Sequence, residues 1–84
     1  MNTLFLLMAE FGRPAVPLED ICKRYFNLDR EKAYQKAAQE QLPVPTYRAG
    51  TQKSPRLVNL VDLAAHLDSK HQEATEEWMR RNVV

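Results

Sequence analysis

Cysteine, glycine and aromatic residues are all scarce in this chain of 84 residues, and each scarcity excludes something. The one cysteine, Cys22, cannot form an internal disulfide and has no partner at metal-ligand spacing, so a reducing compartment is expected. Two glycines, Gly12 and Gly50, leave no Gly-rich phosphate loop. Paired carboxylates and an HExxH motif are also missing, and Ser54 has no histidine at a suggestive position. His66 and His71 are five apart, so on one helix they point about 140° from each other and cannot share a metal. The chain is therefore expected to be neither an enzyme nor a carrier of metal or cofactor.

Long hydrophobic runs are absent too. Leu4 to Ala9 is apolar throughout but far below the ~20 residues that cross a bilayer. It lacks a positive n-region, and Glu10 followed by Phe11-Gly12-Arg13-Pro14 replaces the small-residue cleavage site of a signal peptide. A soluble, cytoplasmic protein without a membrane partner is the expectation.

What is present is a single domain over residues 1–84, with 44% hydrophobic residues and a core that is marginal at this length. Residues 1–12 form a first helix in which Leu4, Leu7, Met8 and Phe11 recur at i, i+3, i+4, i+7. Asn2 or Thr3 can cap its start and Gly12 can close its end. Phe5 and Leu6 lie off the stripe, so this helix is expected to bury two sides, one against its own domain and the other against a second subunit. Ala15-Val16-Pro17 reads as an extended link, because residues before proline avoid the α region.

Residues 18–41 read as two helices. Leu18, Ile21, Cys22 and Tyr25 stripe the first, with Glu19 and Asp20 in its first turn and Lys23 and Arg24 near its end. Asn27-Leu28-Asp29 separates it from the second, which Asp29 can cap and which is expected to run from Arg30 to about Gln41. In projection, Ala33, Tyr34, Ala37, Ala38 and Gln41 share the packed side, and Lys32, Gln35, Lys36 and Gln39 share the other. Leu42-Pro43-Val44-Pro45 then forces an extended exit. Residues 44–58 read as a hairpin: Thr46-Tyr47-Arg48, a polar turn, and Arg56-Leu57-Val58 returning. The last helix, 59–82, is expected to begin with Asn59 as cap and Asp62 as its capping-box partner. Leu60, Ala64, Leu67, His71, Ala74 and Trp78 repeat at alternating spacings of four and three, a heptad stripe.

Charge sorts along this outline. Net charge is only +1, but residues 32–58 carry five basic residues against one acid, whereas residues 59–84 carry three against five. Two helices with a tight turn followed by a basic hairpin outline a winged helix-turn-helix with extra N- and C-terminal helices, mainly α with a small β-hairpin. Its expected partner is double-stranded DNA. Lys32, Gln35, Lys36 and Gln39 are then the candidate recognition-helix contacts, since glutamine can pair with adenine and lysine with guanine or phosphate. Arg48, Gln52, Lys53, Ser54 and Arg56 are the candidate wing contacts to phosphate. The bland alternative for both groups is a solvated polar surface. The heptad stripe either packs on Leu4, Leu7 and Phe11 or forms a homodimer, with Leu4, Phe5, Leu60, Leu67 and Trp78 as candidate interface residues.

Three stretches carry a family likeness: Met1-Asn2-Thr3-Leu4-Phe5-Leu6-Leu7-Met8-Ala9, Val16 to Phe26, and Leu57 to Asp68. Together, in this order and spacing, they resemble the pyocin activator (PrtN-like) family of small phage and bacterial regulators. The Leu42-Pro43-Val44-Pro45 exit, hairpin and following helix also look like phage excisionases and related winged regulators. The first resemblance implies a transcriptional activator of bacteriocin or prophage genes that binds a promoter-proximal element, with RNA polymerase as a further partner. The second implies an architectural protein that bends DNA for recombination. A rival of another class is a phage-encoded module that blocks a host factor, which Glu19, Asp20 and the near-zero net charge would suit.

Overall fold

The computed structural model describes residues 2–82 and contains four helices and a small three-stranded antiparallel sheet. Helix α1 spans Thr3–Phe11. The Asn2 side chain accepts from the Phe5 amide at 3.2 Å, and Gly12 closes the helix with φ 71°, its amide donating to the Met8 carbonyl. That left-handed conformation is open to glycine at no steric cost. Leu4, Leu7 and Phe11 turn inward, whereas Phe5, Leu6 and Met8 face solvent. Within one chain α1 is therefore buried on one side only.

Ala15–Pro17 is strand β1, which makes the expected link a member of the sheet. It pairs antiparallel with β3, Arg56–Asn59, in a register that sets Val16 opposite Val58. Both valines are fully buried. Strand β2, Tyr47–Arg48, pairs with the other edge of β3, so the order is β1-β3-β2. Pro17 costs the sheet nothing, because β1 is an edge strand and ends there.

Helix α2, Leu18–Phe26, buries Leu18, Ile21 and Cys22 and ends at Asn27, which is left-handed at φ 54°. The amides of Asn27 and Leu28 both reach the Cys22 carbonyl, so the turn satisfies groups that a helix end leaves open. Helix α3, Arg30–Ala38, starts where the Asp29 carboxylate accepts from the Lys32 amide at 2.8 Å. Ala33 and Ala37 bury against α2 and its neighbours, and small side chains let the two helices approach closely. The helix stops earlier than expected. Glu40 adopts φ 55°, and the Gln41 amide turns back to the Lys36 carbonyl at 2.8 Å. Leu42 precedes a proline and is disfavoured in the α region, so the chain leaves the helix before reaching it. Ala38 and Gln41, expected on the packed side, are both exposed.

Helix α4 spans Leu60–Asn82. Asn59 does not cap it: it is the last residue of β3, and its side-chain oxygen accepts from the Tyr47 hydroxyl at 2.7 Å. The Leu60 amide donates instead to the Pro14 carbonyl at 2.8 Å, tying the start of α4 to the segment before β1. Leu60, Leu63 and Ala64 join Leu18, Ile21, Val16 and Val58 in one core. Helix α1 packs along this first part of α4, and the Thr3 hydroxyl donates to Asp68 at 2.5 Å. From Asp68 to Asn82 every residue is exposed. At about 1.5 Å per residue that is an arm of roughly 22 Å projecting from the body. No helix among the described residues is long and apolar enough to cross a membrane.

Candidate nucleic-acid interface

The helix pair and the hairpin carry the candidate contacts. On α3, Lys32 and Gln35 are exposed, and so is Gln39 at the helix end. Lys36 is half-buried beside a depression of ≈ 340 Å³ formed with Phe26, Leu42, Pro43 and His66. That partial burial distinguishes it from its three exposed neighbours. His66 meets the Phe26 ring edge-on at 5.6 Å and serves packing here.

On the hairpin, Gln52 and Lys53 sit exposed in the turn, and Ser54 is half-buried with its amide donating to the Thr51 carbonyl at 2.9 Å. Arg48 and Arg56 are directly opposite each other on β2 and β3. Arg48 donates to the Ser54 carbonyl, and Arg56 donates to the Thr46 hydroxyl at 3.2 Å. The Arg56 Nε is buried and has no hydrogen-bond partner among the described residues. Arg56 lines an open groove of ≈ 450 Å³ together with Ala37, Ala38, Leu42, Val44 and Thr46. The fold thus sets one candidate wing residue on the same groove as the end of α3, while Gln52 and Lys53 occupy the tip of the turn.

The two acids at the start of α2 are matched by arginines. Glu19 pairs with Arg30 at 3.2 Å, and Asp20 pairs with Arg13 at 3.7 Å. Both arginines and Asp20 are exposed and Glu19 is half-buried, so the pairs contribute little to stability, but they offset the negative charge at the start of α2. Arg30 also lies 5.8 Å over the Tyr34 ring, at the first position of α3. At about 100° per residue it falls on the Ala33–Ala37 side of α3, opposite Lys32, Gln35 and Gln39, so it serves the α2–α3 contact rather than the candidate surface. Elsewhere, Glu10 on α1 pairs with Arg24 on α2, and the hydrogen bond to Glu10 is the main reason that the guanidinium pKa is raised.

The remaining candidates concern assembly. Leu60 is fully buried in the chain's own core and offers no surface. Leu4 and Leu67 are half-buried, Phe5 is 69% exposed, and Trp78 on the arm is 64% exposed. The heptad stripe is thus divided, its first half inside the domain and its second half in solvent.

No curated protein and no solved structure matches the chain. The family model described as pyocin activator protein PrtN matches residues 3–74, from the first turn of α1 to the middle of the α4 arm. With most of the chain within that match, the protein belongs to the pyocin activator protein PrtN family.

Proposed function

We propose that this protein is a sequence-specific double-stranded DNA-binding regulator of the winged helix-turn-helix type that activates transcription of pyocin genes. One observation carries the reading. Helices α2 and α3 are joined by a three-residue turn with a left-handed Asn27, and the chain then returns as a β2–β3 hairpin paired to β1. In such an arrangement the second helix enters the major groove and the hairpin lies on the backbone. Lys32, Gln35 and Gln39 would then meet base edges, with Lys36 closer to phosphate. Arg48, Lys53 and Arg56 would hold the hairpin on the backbone, assisted by Gln52 and Ser54. The family name supports activation over architectural bending, and RNA polymerase is the partner activation requires.

Gel-shift competition between promoter DNA of a pyocin cluster and random-sequence DNA tests this at two salt concentrations. Specific retention at the higher salt supports it. Equal affinity for both DNAs, or no binding at the lower salt, would remove the reading.

A further inference from the structure

The arm of α4 beyond Asp68 is exposed along its whole length, yet its sequence continues the heptad stripe. Leu67, His71, Ala74 and Trp78 lie along one seam. Lys70 and Glu77 are seven residues apart, so they flank that seam on the same side. An exposed seam with a tryptophan, together with the exposed Phe5 and Leu6 of α1, is apolar surface that a small monomer has little reason to present.

We propose that the arm pairs antiparallel with the arm of a second copy of this chain, about a two-fold axis between residues 72 and 73. In that register Lys70 faces the partner's Glu77, and Glu77 faces the partner's Lys70. His71 lies opposite the partner's Ala74, and Trp78 opposite the partner's Leu67. Large side chains thus meet smaller ones in every layer.

Charge chooses the orientation. A parallel pair would set Lys70 against Thr75 and Glu77 against Asn82, which leaves both charges unmatched across the seam. It would also stack the two Trp78 rings and the two His71 rings on themselves, and crowd both globular bodies at one end. The antiparallel pair places the bodies at opposite ends and gains two Lys–Glu pairs by symmetry. Within one chain Lys70 already reaches Glu73 at 3.4 Å and Arg81 reaches Glu77 at 2.7 Å, both on exposed surface. These contacts leave room for a further partner on each charge.

The same register explains the exposed part of α1. Thr3 sits beside Asp68, so the first turn of α1 lies level with Leu67. The partner's Trp78 arrives at that level, next to the half-buried Leu4 and the exposed Phe5. The family match ends at residue 74, so Glu77 and Trp78 lie beyond it.

Association is measured without DNA, by sedimentation equilibrium of the full chain, so its outcome does not depend on the DNA-binding reading. The wild type should dimerise at micromolar concentration. Lys70→Glu and Glu77→Lys should each weaken dimerisation, by roughly 10-fold, because both symmetric pairs become like-charged. An equimolar mixture of the two variants should recover association, since each Lys–Glu pair is restored in the heterodimer. Recovery needs no comparison of variant stabilities, because both partners are the chains that failed alone. A monomeric wild type at tens of micromolar, or a mixture no better associated than its components, overturns the proposal.

Discussion

Arg48 and Arg56 stand opposite each other across the β2–β3 ladder, two guanidinium groups on adjacent strands with no carboxylate paired to either among the described residues. Like charges directly opposite on a sheet are unfavourable. The hairpin eases the conflict only with neutral acceptors, the Ser54 carbonyl for Arg48 and the Thr46 hydroxyl for Arg56. An anion laid against the hairpin would supply the missing counter-charge. A DNA phosphate has the charge and the acceptor geometry that guanidinium groups recognise.

Replacing Arg48 or Arg56 by alanine should therefore weaken binding to all DNA sequences alike. The slope of log K against log salt should fall in magnitude by ~0.9 for each phosphate that the variant no longer neutralises. Folding stability should hardly fall for either single variant, because the repulsion across the ladder disappears along with the hydrogen bond. Binding isotherms over a salt series, beside urea unfolding curves, check both statements.

Gln35→Ala and Gln39→Ala should act on specificity instead. Both side chains are exposed, so their removal disturbs little packing. A bidentate base contact is worth ~1–3 kcal/mol of discrimination, so the ratio of specific to random-sequence affinity should drop while the salt slope holds. Lys36→Ala should behave differently from both. It is half-buried at a depression that Phe26 and Leu42 also line, so some loss of stability should accompany any loss of affinity. Competition binding with paired thermal melts separates these outcomes.

The helices are legible in the sequence because their stripes are regular: Leu18, Ile21 and Cys22 are buried as their spacing demands. Asp29 caps α3 as its position suggests. Strand β1 is not legible, since Ala15-Val16-Pro17 is too short for a period and its pairing partner lies roughly forty residues away. The end of α3 escapes the sequence reading because alanine and glutamine favour helix, while the Leu42-Pro43 step and the left-handed Glu40 act against it. Within the candidate surface, projection separates Gln35 and Gln39 from Ala33 and Ala37. It cannot show Lys36 half-buried, because that depends on Leu42 and Pro43 folding back past the helix end.

Capping offers a test of how firmly α3 is held. The Asp29 carboxylate is the one side-chain acceptor for the first turn of this nine-residue helix among the described residues. Such a helix is too short to be stable without its packing and caps. Asp29→Ala should cost about 1 kcal/mol of global stability, and Asp29→Ser should recover most of it. Hydrogen exchange should show the loss concentrated in the amides of α3. Uniform loss across α1 to α4 would mean that α3 opens only with the whole domain.

Glu40 combines two features that separate substitutions can take apart. It is the one acid between residues 32 and 58, and it is held at φ 55°, where a side chain with a Cβ is strained by about 1–2 kcal/mol. Glu40→Gln removes the charge and keeps the strain. It should tighten DNA binding, most at low salt where screening is weakest, and leave stability nearly unchanged. Glu40→Gly removes both. It should tighten binding to a similar degree and also raise stability, by roughly 0.5–1 kcal/mol once the greater freedom of glycine in the unfolded chain is deducted. If both variants bind DNA as the wild type does, this end of α3 lies away from the nucleic acid. If glycine fails to stabilise, the turn that ends α3 is not the left-handed one described, and Gln41 would not turn back to the Lys36 carbonyl.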